Sequence, residues 1–176
     1  MTTLSSLRKK FTRHTEKSGP IIAPAKAIVE MISYNEKEFI KLENISLQEV
    51  VEKFNPKAVN WINVDGALDS PVVEQIGKQF NIHHLMLDDI RNTEHRPKAD
   101  EYDEHLFVTL KMLYCINDRT IDYEHICFVL GKDYLISFQE KEGDIFGGLR
   151  ERIKMDTGTI RKRSADYLLY RLIDTI

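Results

Sequence analysis

Apolar positions along the chain repeat with two different periods, and their order predicts alternating strands and helices. The apolar run from Ala27 to Ile32 is typical of a short strand. Ser46 and Glu49 have the spacing of a capping box, so a helix is predicted to begin after Ser46 and to end before Pro56. The apolar face of that helix is formed by Leu47, Val50, Val51 and Phe54.

A second strand and a second helix are predicted in the next part of the chain. The run from Val59 to Val64 indicates a buried strand that stops at the turn Asp65–Gly66. In the helix that follows, Ser70 is the predicted N-cap and Pro71 suits the first helical position. Its apolar face is formed by Val72, Val73, Ile76 and Phe80.

From Tyr102 onwards the apolar period changes to two residues, which is the period of a β-strand. A strand through Leu106–Tyr114 is followed by apolar runs at Ile126–Leu130 and Tyr134–Phe138. The connections between them contain tight turns of the kind that join antiparallel neighbours, so the segment predicts a three-stranded meander. The whole pattern predicts an α/β fold, with a mixed parallel and antiparallel sheet flanked by helices on both faces.

The last predicted helix begins after Ser164 and has no closing signal. Its apolar residues keep the helical spacing as far as Ile176, and neither a Gly or Asn cap nor a proline follows. Such a helix either frays at its end or continues in a longer protein, and we expect the continuation. The chain divides into a basic arm over 1–24 that we expect to be disordered, an α/β domain over 25–163, and the start of a long helix over 164–176.

Composition limits the classes of protein to which the chain can belong. Its 176 residues, 42% of them hydrophobic, are enough for one domain with a real core, and its net charge of −3 argues against a nucleic-acid partner. The sequence contains no signal-peptide core and no apolar run of about 18 residues such as a membrane helix requires. Cys115 and Cys127 lie in strand-like apolar runs, so we expect both to be reduced core residues.

Histidines concentrate in the polar segment 83–105. Zinc sites usually pair histidines four residues apart, or pair them with cysteines, and neither His83–His84 nor His95–His105 has that spacing. Catalytic motifs such as a nucleophile elbow or a phosphate-binding loop do not occur in the sequence, so we expect no enzyme and no catalytic residue.

The carboxylates of the same segment suit a different kind of site. Asp88 and Asp89 follow a short apolar stretch, and adjacent carboxylates at a surface are suitable ligands for Mg²⁺, which takes one or two of them and keeps most of its waters. Spacing alone favours the simpler interpretation of a solvated acidic surface. The rest of the segment is predicted to be a polar connection into the meander.

A series of short runs, in a fixed order, carries a further signal. They are Asn60–Val64, Ile82–Leu85 with Asp88–Ile90, Arg96–Lys98, Leu110–Met112, Phe138–Lys141, Gly143–Phe146, Arg150–Ile153 and Ala165–Tyr170. In this combination the chain resembles the cytosolic N-terminal domain of the CorA family of magnesium channels, over about Ala27 to Ile176. The basic arm is outside the resemblance.

The resemblance implies a homopentameric channel in the cell membrane. In that family the cytosolic α/β domain continues through a long stalk helix into two membrane helices, so the helix over 164–176 would be the start of the stalk. This chain would then lie on the cytoplasmic side, and as a fragment without the pore it is expected to be mainly monomeric.

The resemblance also implies where the family's regulatory ion binds. Members of the family sense intracellular Mg²⁺ through carboxylates at the subunit interface, and the matching positions are Asp88 and Asp89, with Asp174 on the last helix as a further candidate. Asp88 stands where a glutamate is often found, which shortens that ligand by one methylene. Mg²⁺ would be both the regulatory and the transported ion, with Co²⁺ or Ni²⁺ as further transported ions.

Two alternatives remain open at this point. A zinc-transporting relative of the same superfamily would share the domain while carrying a different ion. A standalone soluble metal sensor would share it without any membrane helices.

Overall fold

The computed structural model describes residues 27–66, 68–117, 120–141 and 143–176, and the basic arm predicted over 1–24 lies outside these ranges. The described part contains seven strands and five α-helices. In chain order they are β1 (Ile28–Tyr34), β2 (Phe39–Leu42), α1 (Leu47–Lys53), β3 (Val59–Asp65), α2 (Pro71–Gln79), α3 (His84–Arg91), β4 (Lys98–Glu101), β5 (Leu106–Asn117), β6 (Thr120–Leu130), β7 (Tyr134–Gln139), α4 (Gly147–Lys154) and α5 (Ala165–Ile173).

The strands form one seven-stranded sheet in the order β2-β1-β3-β7-β6-β5-β4. β3 and β7 are parallel, and the other neighbouring pairs are antiparallel. The predicted meander is formed by β5, β6 and β7, which pair in sequence order. The prediction of a mixed sheet is therefore confirmed.

Each face of the sheet carries its own core, because side chains alternate between the faces along every strand. On one face, α1, α2 and α3 cover a core to which β3 contributes Ile62 and Val64. On the other face, α4 and α5 cover a core that contains Trp61 of the same strand. The prediction of helices on both faces is also confirmed.

The predicted helix starts have the expected residues at their caps. At α1 the Ser46 hydroxyl accepts the backbone N–H of Glu49 at 3.3 Å, and the Glu49 carboxylate accepts the backbone N–H of Ser46 at 2.8 Å. Ser70 occupies the N-cap of α2 next to Pro71, but its hydroxyl caps none of the described backbone groups. Val51, predicted on the apolar face of α1, is 43% exposed, because this seven-residue helix buries only one side chain.

The short elements missing from the sequence prediction include β2, α3 and β4. The segment 83–105, predicted to be a polar connection, contains two of them, α3 and β4. α3 has only eight residues, so its apolar period is too short to stand out from the polar segment around it. β2 and β4 are four-residue strands at the two edges of the sheet, and their pairing depends on their neighbours rather than on their own pattern.

The prediction for one of the two cysteines is wrong. Cys127 is buried as predicted, but Cys115 is exposed, and both thiols are free. β7 pairs with β6 only along Ile126–Leu130. β5 and β6 therefore continue beyond β7 as a two-stranded ribbon, and Cys115 lies on this ribbon opposite Ile121.

α5 belongs to the second helix layer, and it buries Leu168, Leu169 and Leu172. The α-helix ends at Ile173, and the N–H groups of residues 175 and 176 donate to carbonyls three residues back, at 3.1 and 3.2 Å. Such tightening is common in a last helical turn. The continuation of this helix as a stalk stays a prediction. Within the described ranges, no helix has the length and apolar character needed to cross a membrane.

Candidate metal centre

The adjacent aspartates predicted as metal ligands lie on α3 and face different surroundings. Successive residues of a helix are turned by about 100°. Met86 and Ile90 are buried in the core, and this fixes the orientation of the helix. As a result the Asp88 side chain is 69% exposed, whereas the Asp89 side chain is only 12% exposed.

The Asp89 carboxylate is already bound by two neighbours. Its Oδ2 accepts a hydrogen bond from Lys98 Nζ at 2.7 Å, and its Oδ1 lies 3.1 Å from His95 Nε2. Lys98 Nζ also lies 2.8 Å from Asp100 Oδ2. Its hydrogen bonds to Asp100 and to Asp89 raise the pKa of Lys98 above the usual range. The Lys98 ammonium is therefore a permanent cation between two carboxylates.

The other two predicted ligands, Asp88 and Asp174, have more distant cationic neighbours than Asp89. Asp88 has one cationic neighbour, Arg91, at 3.9 Å. Asp174 is the C-cap residue of α5, its side chain is 50% exposed, and Arg171 Nε lies 3.7 Å away. α3 and α5 cover opposite faces of the sheet, so one copy of the chain does not bring Asp174 together with the aspartates of α3.

The residues present fit a hard divalent cation only in part. Asp88 offers an exposed carboxylate, the kind of oxygen ligand that Mg²⁺ prefers. Asp89 offers another, but its two oxygens already face Lys98 Nζ at 2.7 Å and His95 Nε2 at 3.1 Å. In the described part of the chain, no three His, Cys, Asp or Glu side chains are grouped so that they could hold a metal ion.

The histidines of the predicted polar segment have structural contacts. His83 caps α3, and its Nδ1 accepts the backbone N–H of Leu85 at 3.3 Å. Its ring also stacks on that of His84, with 4.3 Å between centroids. His105 is buried, lies 2.5 Å from the Tyr134 hydroxyl, and has its pKa lowered by burial. These contacts agree with the spacing argument against a histidine-based zinc site.

The sequence analysis predicts that Cys127 is buried, but it does not predict the contact of Cys127 with a buried histidine on β6. His125 Nε2 lies 3.0 Å from Cys127 Sγ, since residues two apart on a strand share a face. Burial raises the pKa of the Cys127 thiol to about 12 and lowers the pKa of His125. Both side chains are fully buried. The pair is therefore neutral and closed to solvent, which does not suit a nucleophile.

A second polar cluster, also missed from the sequence, anchors α4 to the sheet. Arg150 Nε donates to Glu30 Oε1 at 2.5 Å, and the guanidinium forms a bidentate pair with Asp144. Its Cζ lies 4.7 Å from the centroid of the Trp61 ring. Burial and the neighbouring Asp144 carboxylate raise the pKa of Asp65 to about 6. The runs Asn60–Val64 and Arg150–Ile153 were noted only as parts of the resemblance.

Comparison with known proteins shows to which family the chain is similar. A family model described as "CorA-like Mg2+ transporter protein" matches residues 56–176. The cobalt/magnesium transport protein CorA of Thermotoga maritima is 38% identical over 149 residues, which make up 84% of this chain and 42% of that protein. The chain therefore spans about two fifths of the length of that relative.

Solved structures share the fold. The soluble domain of CorA from Methanocaldococcus jannaschii has a TM-score of 0.60 and 15% identity, covering 88% of this chain and 56% of the other. The ZntB cytoplasmic domain from Vibrio parahaemolyticus has a TM-score of 0.62 and 15% identity, covering 84% and 57%. At identities of 15% the likeness shows the fold alone. This fold occurs both in the CorA domain and in the ZntB domain.

Proposed function

This chain belongs to the CorA-like Mg²⁺ transporter family, and we propose that it is the cytosolic regulatory domain of a homopentameric divalent-cation channel. In this proposal the domain senses intracellular Mg²⁺ through Asp88 and Asp89, with Asp174 as a further ligand. The transported ion is Mg²⁺, with Co²⁺ or Ni²⁺ as others.

The observation that carries the proposal is the placement of the two aspartates on α3. The Asp88 carboxylate is exposed, and the nearly buried Asp89 carboxylate contacts Lys98 of the edge strand β4. A cation bound to Asp88 of a single copy would have few protein ligands. A second copy of the chain could supply the missing ligands. The ion would then hold two subunits together, and their contact would depend on the ion.

The positions of α3 and α5 support a ring of copies. These helices lie on opposite faces of the domain. A contact between two different faces of identical subunits is head-to-tail, and head-to-tail contacts close into rings when the rotation permits. Asp174 of one copy would then face Asp88 of the next, although both are far from each other within one chain.

Gating follows from the charge of such a contact. Carboxylates of adjacent subunits repel each other, and Mg²⁺ supplies the positive charge that offsets this repulsion. The ring in which the carboxylates are close together therefore has the higher affinity for the ion, and ligand binding shifts the population towards it. When Mg²⁺ is scarce, the repulsion favours separated domains and an open pore.

Limited proteolysis of the full-length protein tests the proposal. The wild type should become resistant to trypsin as Mg²⁺ is added. Asp89→Asn should require about tenfold more Mg²⁺ for half-maximal protection, because one charged ligand is lost. Asp69→Asn is the matched control, since Asp69 is an exposed aspartate that precedes α2 and is not among the proposed ligands. An unchanged Mg²⁺ dependence of Asp89→Asn would contradict the proposed site.

The same assay separates the alternatives. Protection by Zn²⁺ far below the effective Mg²⁺ concentration, with zinc uptake by vesicles, would favour a zinc-transporting relative. Equal protection of the 176-residue chain by itself would favour a standalone sensor.

A further inference from the structure

The ammonium group of Lys98 lies between two carboxylates of unequal exposure. Lys98 is the first residue of β4, and Asp100 follows it two residues later on the same side of this edge strand. Lys98 Nζ is 2.7 Å from Asp89 Oδ2 and 2.8 Å from Asp100 Oδ2. The Asp89 side chain is 12% exposed, and that of Asp100 is 40% exposed. One cation is thus shared between a nearly buried carboxylate and a half-exposed one.

A divalent cation at Asp89 Oδ2 would be repelled by the Lys98 ammonium, which lies 2.7 Å from the same oxygen. The ammonium already holds that oxygen through a short, charge-assisted hydrogen bond. The other oxygen of the same carboxylate faces His95 Nε2 at 3.1 Å. The repulsion between the two cations therefore favours displacement of Lys98 when a metal ion binds Asp89, and the displaced ammonium needs another partner.

We propose that Lys98 is a built-in competitor for the divalent cation at Asp89, and that Asp100 keeps the Lys98 ammonium when the cation binds. This inference rests on the proposed function, because it assigns a competing residue to the same site. Asp100 already bonds the ammonium, so the exchange breaks one of the two carboxylate contacts of Lys98 and leaves the other in place.

This exchange keeps the Asp89 carboxylate paired with a positive charge both without and with the metal ion. Without metal, Lys98 compensates a carboxylate that burial would otherwise leave costly. With metal, the ion compensates it and Lys98 stays with Asp100. The competition weakens the affinity for the ion, and the charge of the lysine holds the domain folded when the ion is absent.

Two variants should change the Mg²⁺ requirement in opposite directions. Lys98→Met removes the competitor and keeps an unbranched side chain beside Phe107, whose ring centroid lies 5.8 Å from Nζ. It should lower the Mg²⁺ concentration for half-maximal trypsin protection of the full-length protein by about fivefold, as expected for the loss of one ion pair. Among the described residues, Asp100→Asn leaves Asp89 as the only carboxylate partner of Lys98. This variant should raise that concentration by about threefold.

Each control variant removes a charge of the same sign as its partner variant, but leaves Asp89, Lys98 and Asp100 unchanged. Arg96→Met removes a nearby exposed cation that has no carboxylate within 4 Å in the described part of the chain. Glu101→Gln removes the carboxylate next to Asp100, at an exposed position. A general change in the electrostatic field would move each control as far as its partner variant, whereas displacement of Lys98 would not.

The outcomes separate this inference from the proposed function. Opposite shifts of Lys98→Met and Asp100→Asn, with both controls near wild type, support the competition. An unchanged or raised requirement in Lys98→Met overturns it, as does an Asp100→Asn shift equal to that of Glu101→Gln. If Lys98→Met fails to fold, the Asp100→Asn comparison decides alone. A wild type without Mg²⁺-dependent protection overturns the proposed function itself, and the competition with it.

Discussion

Replacing Arg150 by methionine should strongly destabilise the domain. The substitution removes the charge and keeps an unbranched side chain of similar length. Arg150 is 12% exposed and binds Asp144, which is 5% exposed, as well as Glu30, which is 15% exposed. These contacts join α4 to β1 and to the segment that follows β7.

The size of the effect follows from the carboxylate that loses its partner. Lys41 Nζ lies 3.0 Å from Glu30 Oε2, so Glu30 keeps a cation in the variant. Among the described residues, Asp144 keeps only uncharged donors, Asn63 Nδ2 at 3.3 Å and the N–H of Phe146 at 2.8 Å. Breaking a buried ion pair by removing one partner costs about 3–5 kcal/mol. That is a large fraction of the 5–15 kcal/mol by which a domain is usually stable.

Urea denaturation of the 176-residue chain, followed by circular dichroism, measures the change in the free energy of unfolding. Arg152→Met is the matched control, because Arg152 is exposed on the same helix. That control should stay within about 0.5 kcal/mol of the wild type. The double variant Arg150→Met with Asp144→Asn should recover part of the loss, because it removes the unpaired charge.

Two results would refute this reasoning. A loss in Arg150→Met of less than about 1 kcal/mol would mean that the ion pairs roughly balance their own desolvation. A double variant no more stable than Arg150→Met would mean that the loss comes from packing on Trp61 rather than from an unpaired Asp144.

The structure supports two further predictions about stability. The pKa of Asp65 is raised from 3.8 to about 6 in the fold, so the protonated carboxyl group favours folding. The free energy of unfolding of the wild type should therefore fall between about pH 4 and pH 6. Asp65→Asn should not show this fall, because its side chain does not titrate. Urea denaturation should then find Asp65→Asn more stable at pH 7 but not at about pH 4, and parallel pH profiles would contradict this. A Cβ at Gly77 would lie 2.6 Å from Leu87 Cδ1, so Gly77→Ala should cost about 1–3 kcal/mol in thermal denaturation. Gly148→Ala, where nothing lies within 4 Å of the added Cβ, should be neutral or stabilising, and equal losses in both variants would argue against crowding.

Most of the fold follows from signals that are local in sequence. The capping box at Ser46 and Glu49 marks the start of α1, and the period of two marks the meander, because these patterns depend on residues a few positions apart. β2 and β4 carry no such signal. Both are edge strands of four residues, and they become strands because β1 and β5 offer them unpaired backbone groups.

The candidate site was predictable only as far as its residue types. The adjacent carboxylates of Asp88 and Asp89 are visible in the sequence, and the choice of a hard cation follows from their chemistry. Their different burial is not visible, because it requires the missed helix α3. The partner Lys98 comes nine residues after Asp89, and only the return of the chain from α3 to β4 brings the two together.

The burial of Asp89 links its proposed role in sensing to its role in folding. A carboxylate with 12% exposure is stable as an anion only beside a positive charge or several donors. A site that simply lost its metal would leave that anion unpaired against α3, an eight-residue helix with little stability of its own. A lysine held by a second carboxylate supplies the charge whenever the metal is absent. A sensor built in this way loses affinity for its ion, and in return its ion-free state remains folded and able to respond.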